Sequence, residues 1–129
     1  MVRLEFFIDI HAISNCTNAF MFVNCSDSSE AEKREKQLQF PRLLDSRSKA
    51  FSLASTRYSS NTIGKEGSKI GTGRRALELL ELAPHCYTLE VSFYCSTDSK
   101  LRPVPFTEEA YMNLGKDLIL AFVDYFKLS

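Results

Sequence analysis

Residues 85–94, HCYTLEVSFY, constrain the fold more than any other stretch. Side chains of a strand point to alternate faces. Tyr87, Leu89, Val91 and Phe93 therefore share one apolar face, and Cys86, Thr88, Glu90, Ser92 and Tyr94 the other. Such a strand needs neighbours in a sheet and a layer packed over its apolar side. VRLEFFIDI (2–10) supplies one neighbour, with Phe6, Ile8 and Ile10 on one face and Phe7, Asp9 and His11 on the other. NAFMFVN (18–24) reads as a second short strand, and AISNCT between them as a loop.

Three helices are predicted to cover this sheet. SSEAEKREKQLQF (28–40) starts on a capping-box spacing, Ser29 to Glu32. Pro41 ends it or opens a new short helix through RLLDSRSKA. RRALELLEL (74–82) is a second helix, closed before Pro84. The third follows Thr107 as N-cap, with Glu108 and Glu109 suited to the positive helix end. Tyr111, Leu114, Leu118, Phe122 and Tyr125 recur on it at helical spacing as the buried stripe. The polar segment 55–73 reads as a long surface loop, with a short strand near Phe51–Leu53 before it. Strands alternating with helices over 129 residues predict a single domain of α/β class.

Formal net charge is zero, which argues against nucleic acid or an anionic membrane as the main partner. No run of apolar residues is long enough to span a bilayer. Arg3, Glu5 and Asp9 interrupt the N-terminal apolar run, so a signal peptide is not expected and the cytoplasm is the expected compartment. Cys16, Cys25, Cys86 and Cys95 form no CxxC pair. They are read as free thiols in a reducing compartment.

Few residues carry candidate chemistry. His11 stands where a strand gives way to a loop, and open α/β sheets bind ligands at the carboxyl ends of their strands. It is a metal-ligand candidate, with Asp9 as the carboxylate that would fix its tautomer. A strand-end histidine satisfied by a backbone group fits the same spacing. Glu90 sits mid-strand among small polar neighbours and suits a general base if buried. From the spacing alone, the solvated outer face of an antiparallel strand is the simpler explanation. GTGRRA (71–76) mimics a dinucleotide fingerprint but follows a polar loop rather than a strand. Arg74 and Arg75 at a helix start oppose the helix dipole. Carboxylate binding through a guanidinium fork is one reason for them, and solvation is another. His85 lacks any companion at metal spacing and is read as structural.

Taken in order, FIDIHAIS, NAFMF, FPRLL, GTGRR, CYTLEVSFY and VPFTEEAYMNLG resemble segments of the cytosolic carboxypeptidases. These are M14-type zinc metallocarboxypeptidases that trim glutamates from tubulin and other proteins. The resemblance covers nearly the whole chain. It implies the α/β C-terminal half of a zinc-carboxypeptidase-like mixed sheet flanked by helices, so that residues 1–129 form a partial catalytic domain. It places His11 on the second zinc histidine and Glu90 on the glutamate that takes a proton from the attacking water. It puts one of Arg74 and Arg75 near the side-chain pocket, where a cation favours glutamate. Zinc is the implied cofactor, and a polyglutamylated protein such as tubulin the implied partner.

The departures bear on activity. No HxxE motif is present, since His11 is followed at that spacing by Ser14 and His85 by Thr88. The resemblance puts that motif in an upstream half, without which zinc has too few ligands and the chain is expected to be inactive by itself. Ile13 replaces the last histidine of DIHAHS, and Ala19 and Val23 stand at positions usually held by glycine. The rival expectation is a non-catalytic interaction module that binds through an exposed sheet edge.

Overall fold

In the computed structural model, which describes residues 2–25, 31–58 and 72–128, the strand singled out above occupies the interior of a mixed sheet. The strands are β1 (Phe6–Ile13), β2 (Ala19–Val23), β3 (Arg57–Tyr58) and β4 (His85–Ser92), in the spatial order β1-β4-β2-β3. β4 runs parallel to β1 and antiparallel to β2, and β2 runs parallel to β3. A small hairpin, β5 (Cys95–Thr97) and β6 (Pro103–Pro105), stands apart from this sheet.

One sheet face carries the core. Phe6 and Ile8 of β1, Ala19, Met21 and Val23 of β2, and Tyr87, Leu89 and Val91 of β4 point to it. Against them pack α1 (Ala31–Arg47) through Leu38, Phe40 and Leu44, and α3 (Glu108–Tyr125) through Leu114, Leu118 and Ala121. Arg47 of α1 grips Asp124 of α3 with two hydrogen bonds of 2.7 and 2.6 Å. On the opposite face the short α2 (Gly73–Leu77) covers the Phe7 end of β1. The approach is close enough that a Cβ on Gly73 would lie 2.7 Å from the Phe7 ring.

Several boundaries differ from the expected ones. β1 continues past His11 to Ile13, because its pairing with β4 extends to Ile13 opposite Ser92. β4 stops at Ser92, whose hydroxyl accepts from the N–H groups of Tyr94 and Cys95 and closes a turn. Phe93 therefore leaves the apolar face and is exposed. α1 passes straight through Pro41. Pro41 cannot donate to the Gln37 carbonyl, and the Tyr87 hydroxyl donates to that oxygen instead at 2.8 Å. Ser29 lies outside the described residues. α2 spans only Gly73–Leu77, and Leu79, Leu80 and Leu82 beyond it are exposed. No strand forms at 51–53. Phe51 makes a single bridge to Ala19, and residues 53–55 form a 3-10 turn. Thr107 caps α3 as expected, its side chain accepting from the Ala110 N–H at 3.1 Å.

Candidate active site

The parity of the strands decides which side chains meet. His11 of β1 lies directly opposite Glu90 of β4 in the parallel register, and Glu90 is also opposite Phe20 of β2. Residues paired in this way share a face. Asp9, His11, Thr88, Glu90, Phe20 and Phe22 thus line the face away from α1 and α3.

His11 does not rely on a backbone group. Asp9 Oδ2 lies 2.7 Å from its Nε2. A carboxylate accepts only, so the neutral ring carries its proton on Nε2 and keeps its lone pair on Nδ1. The Asp9 hydrogen bond, chiefly, raises the His11 pKa above its ordinary value, and the charge of Glu90 adds to this. Glu90 is half-buried and makes no hydrogen bond or ion pair among the described residues.

The two arginines part company. Arg74 is buried: its Nη1 donates to the Val23 carbonyl at 3.3 Å and to Asn24 Oδ1, and Asn24 Nδ2 donates back to the Arg74 carbonyl at 2.9 Å. Its guanidinium carbon stands 5.6 Å over the Phe22 ring, on the same sheet face as Glu90. Arg75 turns outward and pairs with Glu78 at 3.0 Å. A further cation escaped the sequence reading. Arg57 of β3 sits 5.6 Å over the Phe20 ring, the residue opposite Glu90. Its position inside a polar, loop-like segment concealed it, since only the pairing of β3 with β2 brings it to this face.

A catalytic zinc needs three protein ligands. Among the described residues no cluster of three or more His, Cys, Asp or Glu side chains could hold a metal ion. His11 and its supporting Asp9 have the form of one ligand with its carboxylate. The described residues do not by themselves fit a complete zinc site. None of the four cysteines forms a disulfide, and burial pushes the Cys86 thiol up to about 11, which keeps it protonated at neutral pH.

No protein-family model matches the chain. Human cytosolic carboxypeptidase 6 is 44% identical over 128 residues, covering 98% of this chain and 24% of that protein. The Caenorhabditis elegans cytosolic carboxypeptidase 6 is 34% identical over 94% of this chain and 27% of its own length. The chain is related to the cytosolic carboxypeptidases. It spans about a quarter of the length of these relatives. The crystal structure of a metallo-carboxypeptidase from Burkholderia cenocepacia superposes with a TM-score of 0.70 over 95% of this chain and 30% of that one, at 16% identity. The mixed sheet and its helices are therefore a metallocarboxypeptidase fold, as the resemblance implied. Among the described residues no helix is long and apolar enough to cross a membrane.

Proposed function

We propose that this chain forms the C-terminal part of a metallocarboxypeptidase catalytic domain that removes C-terminal or branch-point glutamates from proteins such as tubulin. His11 is one metal ligand, held by Asp9. Glu90 is the general base that takes a proton from the attacking water and returns it to the leaving amine. Arg74 is the fixed cation that receives the glutamate side chain. When bound, the metal would polarise the scissile carbonyl, and its other ligands belong to an HxxE segment outside this chain. The observation that carries the reading is the register: His11 and Glu90 face each other across adjacent parallel strands, with the Arg74 guanidinium on the same face.

The test is calorimetric zinc titration of a product carrying this segment together with an HxxE segment. One zinc per chain, lost in His11→Ala, supports the assignment. Glu90→Gln should retain zinc and abolish glutamate release. Zinc binding unchanged in His11→Ala would sink the metal role. Full glutamate release in Glu90→Gln would sink the base.

The second reading, a non-catalytic interaction module, draws on β1, the outer strand of its sheet, which presents Ile10 at 60% exposure. A product that binds a protein target with unchanged affinity in both variants, and releases no glutamate, would favour it.

A further inference from the structure

Glu90 has no side-chain partner among the described residues, so the backbone that carries it decides where its carboxylate points. β4 ends two residues later. Its register with β2 stops at Val91 opposite Ala19, and its register with β1 stops at Ser92 opposite Ile13. Beside this end lies an apolar groove of about 500 Å³, walled in part by Ile10 of β1, Val91 of β4, and Tyr111 and Gly115 of α3. A Cβ placed on Gly115 would meet nothing within 4 Å. Among the described residues, close packing therefore gives the strand end little support on that side.

A closed circuit of contacts supplies that support instead. The Tyr111 hydroxyl donates to the Ser92 carbonyl at 2.8 Å. Ser92 Oγ accepts from the Tyr94 N–H at 3.1 Å, and the Tyr94 carbonyl accepts from the Phe106 N–H at 2.8 Å. The Phe106 ring stacks on Tyr111, with centroids 4.6 Å apart and planes 12° from parallel. Tyr111 is itself anchored in the capped first turn of α3, where its N–H donates to the Thr107 carbonyl at 3.1 Å. Helical spacing placed Tyr111 in the buried stripe, yet it is 37% exposed. Its contribution is the hydroxyl more than burial.

We infer that Tyr111 is a positioning residue for the proposed base: through the Ser92 carbonyl it fixes the end of β4, and with it the reach of the Glu90 carboxylate. The inference rests on the proposed role of Glu90 and deepens it. A general base must sit within about 2.6–3.2 Å of the atom whose proton it takes. Misplacement by about 1 Å can cost about 100-fold in rate. With no side-chain bond to hold it, Glu90 depends on its strand for that tolerance, and the Tyr111 hydroxyl ties the strand to α3.

The experiment measures kcat and KM for glutamate release from a polyglutamate peptide, using a product that carries this segment together with an HxxE segment. Wild type is compared with Tyr111→Phe and Tyr125→Phe. Tyr111→Phe keeps a ring against Phe106 and removes only the bond to Ser92. Tyr125→Phe removes a different α3 hydroxyl, the one beside His85, and controls for general loosening. Urea unfolding and zinc stoichiometry check that each variant is folded and loaded. The expected result is a kcat about tenfold lower in Tyr111→Phe, with KM and zinc affinity unchanged and kcat preserved in Tyr125→Phe. Unchanged kcat in Tyr111→Phe overturns the positioning role and leaves Glu90 as the base. An equal fall of kcat in both variants overturns it too, as does a rise in KM at constant kcat, which would mean lost substrate binding. No glutamate release by the wild type overturns the base and the positioning role together.

Discussion

Two histidines in one small fold are put to opposite uses by their surroundings. At His11 the decisive group is Asp9, whose carboxylate fixes the proton on Nε2. Asp9→Asn replaces an obligate acceptor with a group that can also donate, so the tautomer is no longer set. On the proposed metal role of His11, zinc affinity of a product that also carries an HxxE segment should fall about 10- to 100-fold, measured by competition with a chelator. His85 is packed against Phe6, with ring centroids 5.0 Å apart, and its Nε2 lies 3.1 Å from the Tyr125 hydroxyl. Burial lowers its pKa, and Lys36 and Arg3 push the same way against Glu5. The unfolded chain then takes up a proton near the ordinary value of about 6.5, before the folded one does. Stability contributed by neutral His85 is present above that pH, falls as pH drops below it, and levels off once pH passes the folded pKa. His11, whose raised pKa acts in the opposite sense over the same range, is common to wild type and His85→Gln, so the difference between their urea midpoints from about pH 7.5 to about pH 5 should show this loss. An identical slope in the variant would assign the pH dependence elsewhere.

At the scale of elements, α1 shows how tertiary structure overrides a local rule. Pro41 reads as a break in the sequence, yet the helix runs from Ala31 to Arg47 because a side chain from the sheet repairs the defect. Tyr87 is buried and donates to the orphaned Gln37 carbonyl. Tyr87→Phe leaves that oxygen unsatisfied and should cost about 1–3 kcal/mol in denaturant unfolding. Pro41→Ala restores a backbone donor to the same carbonyl, so Tyr87→Phe should cost less in that background. Additive losses in the double variant would mean the hydroxyl does not serve the proline. The capped start of α3 was legible because Thr107 acts on its own neighbours. The short α2 was not, because the leucines that suggested a longer helix find no surface to cover among the described residues and stay exposed. The direction of Arg74 likewise depends on Asn24 and Phe22, which no local spacing joins to it.

For the molecule as a whole, strand periodicity revealed the faces but not their order. Alternation in 2–10 and 85–94 placed Asp9 with His11, and Glu90 with Thr88, on polar faces. That these faces are one face, with His11 opposite Glu90, follows from a crossover connection and a parallel register that no single segment encodes. Phe6 is where that register is locked. Its ring meets Phe40 of α1 at 5.1 Å, Phe122 and Tyr125 of α3 at 5.1 and 4.9 Å, and His85 of β4 at 5.0 Å. One side chain on the outer strand thus ties both helices and the central strand together behind the candidate site. Phe6→Ala should cost about 3 kcal/mol by removing this packing and leaving a void. Water reaching His85 would also let its pKa climb back toward the ordinary value, so the pH slope described for His85 should shrink in Phe6→Ala. The two readouts separate the possible causes. A loss of stability with the His85 slope intact would mean the ring only fills space. A flattened slope with little loss would mean it shields the imidazole without holding the helices. Both changes together are expected if Phe6 fixes β1 against β4, and with it the alignment of His11 and Glu90.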